Sequence, residues 1–343
     1  MGCHCCRPDI LNSGQNHDFG QLVLVDKIKF TPTSDEAFAT EPTPRDYIKY
    51  DTDQKEYHQQ APHPSYAQLY PAGIPLINAT EDRLTSLNIK FPDLLTEWAQ
   101  TSLGPYLDKS SRIYHGQYRN SLLHGLGLLI WPNKTIYFGQ FQNSLLHGSG
   151  TLLNPDSTYY HGSFKFSRAN GHGTLTLPNG THYVGEFIDD QKHGQGTQTY
   201  PNNITYKGEF RASYMHGYGK LVYGFDQEFY EGEFDMGQPH GAGVYRWADG
   251  RCYRGDFCRG VWEGEGRFVW GGGGGVGGGG EYEGGWRGGR RHGYGEERFG
   301  DGKVYKGMFE GGEVRGKGIL WDSKEGTVRK SLGEGEEVEV EGA

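Results

Sequence analysis

Tyr183-Val184-Gly185-Glu186-Phe187 opens a 14-residue stretch that closes on His193-Gly194-Gln195-Gly196, and the same order of residues returns every 23 positions on either side. Tyrosine recurs at Tyr114, Tyr137, Tyr160, Tyr183, Tyr206, Tyr230, Tyr253, Tyr282 and Tyr305, with spacings of 23, 23, 23, 23, 24, 23, 29 and 23. With each tyrosine as position 1, glycine fills positions 3, 12 and 14 in all nine units, and position 5 is always aromatic, from Tyr118 and Phe141 through Trp286 and Phe309. Self-similarity at a fixed period marks a repeat architecture, and nine units of this agreement establish one.

Positions 1, 3 and 5 alternate with the period of a strand, so Tyr, Gly and the second ring share a face. Glycine weakens a strand unless close packing needs the space, and a gap between two rings is such a need. Positions 14 to 18, as in Gly127-Leu128-Leu129-Ile130-Trp131, read as a second strand. The pairs Asn179-Gly180, Asp249-Gly250 and Asp301-Gly302 suit the tight turn of a hairpin. The expected fold is all-β: an elongated, twisted, single-layer antiparallel sheet of nine tandem hairpins. Eighteen strands at roughly 4.8 Å each extend on the order of 85 Å.

The Tyr-x-Gly-x-aromatic … His-Gly-x-Gly pattern over about residues 114–322 resembles the MORN (membrane occupation and recognition nexus) repeat family. The resemblance implies a curved β-sheet that works as a scaffold, dimerisation or membrane-junction module, or as part of a ciliary radial-spoke head. Some such proteins add a lipid-kinase or methyltransferase domain; here about twenty residues follow the last repeat, too few for one. The usual His at position 11 stands at His124, His147, His193, His216, His240 and His292, and is replaced by Asn170, Glu263 and Arg315.

Composition agrees. Glycine accounts for 57 of 343 residues, but only five lie before residue 114, which marks a domain boundary. The 47 aromatic rings (Tyr 23, Phe 17, Trp 7) argue against disorder. A net charge of −9 without a strong basic block argues against nucleic acid as partner. No apolar run is long enough for a membrane-spanning helix.

Chemistry-bearing residues are sparse. Equivalent histidines in consecutive hairpins stand roughly 10 Å apart, too far to share a metal, so they read as loop residues bonding to backbone. The Gly-x-Gly pairs precede no helix, as a nucleotide fingerprint requires. The position-4 acids Glu186, Glu209, Glu233 and Asp256 read as solvent-exposed, without a catalytic cleft. No catalytic residue, metal site or cofactor is expected. Arg287, Arg290, Arg291 and Arg298 form a candidate anionic-lipid patch, set against a solvated face balanced by nearby acids. Tyr137, Phe141, Tyr160, Phe164, Tyr183, Phe187, Tyr206 and Phe210 line the most regular stretch, and a protein partner, a helix or extended segment, is expected in the groove between them. An exposed C-terminal sheet edge would serve a homodimer, unless the acidic tail guards it.

The N-terminus, Met1-Gly2-Cys3-His4-Cys5-Cys6-Arg7, resembles the start of dually acylated proteins: Gly2 for myristate, Cys3, Cys5 and Cys6 for palmitate. Cys6 stands where Ser or Thr is usual. One myristoyl chain binds membranes only marginally, and palmitate makes the attachment stable. A metal cluster of the same residues would strain a tetrahedral site, whose ligands are normally spaced. With no apolar signal-peptide core and no disulfide framework, the expected location is the cytosolic face of a membrane, a ciliary or flagellar one included. Residues 11–113 read as a Pro-rich polar linker with a strand at 21–30 and a helix at 92–103 that caps the sheet. The insert Gly271–Gly280 reads as a flexible break that hinges the last two units, and 323–343 as an acidic disordered tail.

The function expected is a non-enzymatic, membrane-tethered MORN scaffold. The alternatives are a radial-spoke-head-like axonemal component and a phosphoinositide-signalling module without kinase activity of its own.

Overall fold

The computed structural model describes residues 103–107, 111–224, 228–271, 279–322, 327–332 and 337–340. The regular structure of these residues is entirely β. They fall into two compact units, residues 103–201 with 210–213, and residues 202–209 with 214 onward. In each, strands follow one another as antiparallel neighbours. The N-terminal anchor and the strand expected at 21–30 lie outside the described residues. So does the helix expected over 92–103, except that Leu103 opens a strand, Leu103–Leu107, paired with Ile113–Arg119.

The fourth repeat shows how the sequence makes a hairpin. Strand His182–Ile188 turns through Asp189 (φ 48°) and Asp190 (φ 72°) into strand Gln191–Thr199. Two consecutive positive-φ residues make the turn whose twist matches that of paired strands. The tight turn therefore sits at positions 7 and 8, and the second strand begins at position 9 instead of 14. Asn179-Gly180 belongs to the wider connection between repeats, where Leu177 N donates to Thr181 O at 2.9 Å and Gly180 N to Leu177 O at 2.9 Å. The histidine column is corrected with it: His193 lies within a strand, opposite Glu186, and not in a loop. The longer strand was hidden because Gly194 (φ +56°) interrupts its alternation with a bulge, where the register shifts between Gly185 and Glu186.

Positions 3 and 14 form a line of glycines across the strands. Gly185 stands opposite Gly196 in its own hairpin and Gly173 in the preceding one, and Gly255 likewise stands between Gly266 and Gly243. Over each pair lies the tyrosine of the same repeat: a Cβ on Gly196 would come 2.5 Å from Tyr183 Cε2. The phenol then reaches past the glycines to donate to the position-4 carbonyl, as Tyr137 does to Gln140 O at 2.8 Å and Tyr230 to Glu233 O at 2.8 Å. A phenylalanine would leave that carbonyl without its donor.

The insert after Val269 does not break the array. Val261–Val269 and Glu281–Arg287 pair in register from Gly264↔Trp286 to Val269↔Glu281, and Tyr253 meets Trp286 at 5.5 Å between ring centroids. Extra length in a connection between repeats costs little, since closure entropy grows slowly with loop length. Residues 272–278 of the insert are outside the described residues. The acidic tail is corrected as well. Thr327–Leu332 and Glu337–Val340 form two strands, the first paired with Glu313–Asp322 and the second with the first. Its acidity masked a period-2 pattern, Glu337-Val338-Glu339-Val340, whose Glu339 stands in register with Arg329. The edge expected to be open for a dimer at Glu313–Asp322 is thus paired within the chain.

Candidate functional site

The aromatic columns form a ladder in which tyrosines and position-5 rings alternate edge-on. In the first unit Tyr137 meets Phe141 at 5.1 Å and Phe164 at 5.2 Å, Tyr160 meets Phe164 and Phe187 at 5.0 Å each, and Tyr183 meets Phe187 at 5.1 Å and Phe210 at 4.9 Å. Interplanar angles of 83–90° present the positive edge of one ring to the negative face of the next. The second unit repeats this from Tyr206–Phe234 to Tyr305–Phe309. Burial raises the phenol pKa along the ladder, with neighbouring phenols or acids as the lesser cause, so each stays a protonated donor.

All eight rings assigned to a partner groove, Tyr137, Phe141, Tyr160, Phe164, Tyr183, Phe187, Tyr206 and Phe210, are at most 3% exposed. Their faces and edges are occupied by one another and by the chain's own glycines. The ladder is the core, and its rings are not exposed as the floor of a groove would be. Sequence alternation places residues on a face; it does not show that the face closes over its own rings.

Positions 10 and 16 close it. Leu146 and Leu152 (3% and 2% exposed) fill these places in the second repeat, and Trp262 and Phe268 in the seventh. In the fourth repeat they are Lys192 and Gln198, equally buried and joined by a 2.7 Å hydrogen bond from Nζ to Oε1, with the ammonium 5.5 Å from the Tyr183 ring centroid. In the eighth they are Arg291 and Glu297, 2.7 Å apart. Two leucines occupy the same pair of places, so the double variant Lys192→Leu/Gln198→Leu is expected to be neutral or stabilising by about 1–4 kcal/mol. Gln198→Leu alone, which leaves the ammonium without this acceptor, is expected to destabilise by about 1–3 kcal/mol. Urea denaturation of the three proteins reads the difference.

Of the four arginines expected to form a basic patch, Arg291 is drawn into the ladder instead. Its guanidinium lies 5.1 Å from the Phe309 centroid and 5.7 Å from that of Tyr282, and donates to Gly312 O at 2.6 Å. Arg298 pairs with Glu296 at 2.8 Å and Glu281 at 3.4 Å. Of the four, Arg287 and Arg298 are exposed, and Arg290 stands opposite Arg287 in register.

The position-4 acids are not idle surface residues. Glu186 Oε1 accepts from Gln195 N at 3.2 Å, and Asp256 Oδ2 from Glu265 N at 3.4 Å; Gln117 and Gln140 do the same for Leu126 and Ser149 at 3.2 Å. They bridge the bulge made by the position-12 glycine. The signal was present in the sequence as an acid or amide at position 4 in most repeats. Consecutive turns are tied together too. Ser144 N donates to Leu123 O at 2.8 Å while Ser144 Oγ accepts from Leu123 N at 3.1 Å, a pair repeated by Ser167/Leu146, Asp190/Ala169 and Ser213/Lys192.

What remains open is the face opposite the ladder. In the second unit Tyr218 and Tyr294, both at position 13, are 58% and 65% exposed. Around Tyr218, Lys220 pairs with Glu231 at 2.9 Å and lies 4.1 Å from the Phe229 centroid. The hydrogen bond from Lys220 holds the Glu231 carboxyl below its ordinary range. No group of three or more ligating side chains among the described residues is placed to hold a metal ion.

Seven segments match the MORN repeat model: residues 114–136, 137–159, 160–182, 183–205, 206–224, 230–250 and 282–304. The hairpins beginning at Tyr253 and Tyr305 carry the same glycine line and ring contacts without matching it. No curated protein sequence matches the chain. Among solved structures, the TCP10 domain of Danio rerio CPAP in complex with a peptide of STIL is 14% identical over 68% of this chain and 100% of that one, with a TM-score of 0.40. The TCP domain of SAS-4 from Drosophila melanogaster, in complex with a proline-rich motif of Ana2, is 13% identical over 54% and 89%, with a TM-score of 0.29. At these scores neither likeness transfers anything to this chain.

Proposed function

We propose that the chain is a non-enzymatic scaffold that holds a protein partner on the face opposite its aromatic ladder and is tethered to a cytosolic membrane surface by acylation at Gly2 and at Cys3, Cys5 and Cys6. The observation that carries the scaffold reading is the burial of every ladder tyrosine at 5% exposure or less, which leaves recognition to the other face. Seven MORN repeats support a scaffold or adaptor role. The tether rests on the sequence Met1-Gly2-Cys3-His4-Cys5-Cys6 and on the need for two lipid signals for stable attachment.

Two measurements test the two halves separately. In membrane fractionation, Gly2→Ala and the triple variant Cys3/Cys5/Cys6→Ser are expected to move into the soluble fraction; if both distribute like the wild type, the tether is wrong. In affinity purification, Tyr218→Ala/Tyr294→Ala is expected to lose partner at least about tenfold, as hot-spot aromatics do, with an unchanged circular dichroism spectrum. Undiminished recovery would move recognition off this face.

A further inference from the structure

The face opposite the ladder gathers arginines where the sixth repeat meets the seventh. Cys252 stands in register between Arg246 and Val269, and Arg254, two residues on along the same face, between Val244 and Arg267. Arg254 and Arg267 are thus directly opposed, about 5 Å apart at Cβ, and Arg246 is a diagonal neighbour of Arg254, about 7 Å away. All three are exposed, around the shorter, half-buried side chain of Cys252. Like charges directly opposite one another destabilise a sheet. Lys220, Arg298 and Lys306 on this face are matched by carboxylates, at 2.9 Å to Glu231 and at 2.8 and 2.7 Å to Glu296. Arg267 donates to Glu281 at 3.1 Å. Among the described residues, no carboxylate pairs with Arg246 or Arg254.

We infer that Arg246, Arg254 and Arg267 bind a phosphorylated side chain of the protein partner, seated over Cys252. The inference rests on the reading that this face holds a protein, and names the chemistry by which it does so. Two unmatched guanidinium charges call for a dianion. A phosphoryl group brings about −1.5 to −2 charges and three acceptor oxygens on one centre, and the planar fork of an arginine takes two such oxygens at once. A carboxylate brings a single charge, so two acidic side chains would have to arrive together. The rim selects a peptide over a bilayer. Glu231, Glu281 and Glu283 flank the arginines in the same rows, where they repel an extended anionic surface but leave room for one narrow anion. Phe229, half-buried and in register with Arg246, offers an apolar neighbour to the residue beside the phosphate.

The test is fluorescence anisotropy of the full chain with degenerate peptide pools that carry phosphoserine or phosphotyrosine at the centre, against the same pools with serine or tyrosine. One phosphorylated pool is expected to bind at least about tenfold more tightly than its plain counterpart, and Arg246→Glu/Arg254→Glu to lose that preference. Arg211→Glu/Arg287→Glu, which changes the net charge equally at two exposed arginines outside the cluster, is expected to keep it. Arg254→Glu alone sets a carboxylate opposite Arg267 and is expected to raise the urea midpoint, so that lost binding reports the site and not unfolding. Equal affinity for phosphorylated and plain pools overturns the inference. So does binding to mixed phosphatidylcholine and phosphatidylserine vesicles that Arg246→Glu/Arg254→Glu abolishes, which would give this face to a membrane. The partner reading fails separately. If Tyr218→Ala/Tyr294→Ala loses a partner that Arg246→Glu/Arg254→Glu retains, the face still holds a protein and only the phosphate is wrong.

Discussion

Gly185→Ala is expected to destabilise the first unit by about 3 kcal/mol, the upper end of what overpacking one methyl group costs. A Cβ there would press first on the Tyr183 hydroxyl, and would also lie 2.7 Å from Gln195 O and 2.7 Å from Gly196 Cα, two backbone atoms of the paired strand. Neither can yield by rotating a side chain, so the strands themselves must separate. Gly196→Ala meets, in its three nearest atoms, the Tyr183 side chain alone, with Cε2 at 2.5 Å and Cζ at 2.7 Å. In a Tyr183→Leu background the cost at Gly196 is therefore expected to fall by at least about 1 kcal/mol, as coupled neighbours do, whereas the cost at Gly185 persists. Gly194→Ala is the milder third case. Its φ of +56° costs an L-residue about 1–2 kcal/mol, but the atoms in its way belong to the movable Glu186 carboxylate. Urea midpoints of the single and double variants give the ranking. Equal costs at the three glycines, or full rescue at Gly185 by loss of the ring, would overturn this division of labour.

That division was only half legible in the sequence. The columns of tyrosine, glycine and a second ring were readable because strand alternation places them on one face. The all-β hairpin array followed from them and is present. What alternation cannot report is depth. Phe141, Phe164 and Phe187 looked like the floor of a groove because nothing in the repeat says that Leu146, Ala169 and Lys192 stand buried opposite them on the next strand. Lys192 illustrates why: a lysine reads as surface, and only its register opposite Phe187 shows that its stem lies in the core. The position of the turn was misread for a related reason. Asn-Gly and Asp-Gly are strong turn signals, but Asp189-Asp190, Ala212-Ser213 and Met236-Gly237 adopt the two positive φ values instead, because the bulge and the turn-to-turn hydrogen bonds hold them there. Local propensity lost to tertiary pairing.

The apolar cluster on the opposite face at repeats one and two was written in the sequence as Leu128, Ile130, Ile136 and Leu153 but did not announce itself. These residues stand at positions 0, 15 and 17, which differ from unit to unit and which a search for shared residues discards as variable. A repeat's consensus describes the core that all units share, and its departures describe what single units do. Arg291 and Glu297 are a departure of the first kind, exchanging one way of filling positions 10 and 16 for another. The leucines and isoleucines of the first two repeats are a departure of the second kind, making this face apolar where the next repeats carry Thr176, His182 and Thr199.

Phe187→Ala, the second large effect, is expected to cost about 3–5 kcal/mol, as truncation of a buried phenylalanine does. The ring is 1% exposed and stands edge-on to Tyr183 and Tyr160 at 5.1 Å and 5.0 Å. It belongs to two repeats at once, because it is the ring by which the fourth hairpin holds the third. Stability in such arrays is a sum of weak units and strong neighbour terms, so removing the junction is expected to split one cooperative transition into two. Phe166→Ala is the counterpart: this ring is 65% exposed in a turn, and its loss is expected to change stability by no more than about 0.5 kcal/mol. A denaturation curve that stays single and shifts equally for both variants would show that the ladder does not carry the coupling. The consequence for function is direct. Loss of a partner in Phe187→Ala reports a broken junction, while loss in Tyr218→Ala/Tyr294→Ala, at two exposed rings of the opposite face, reports recognition itself.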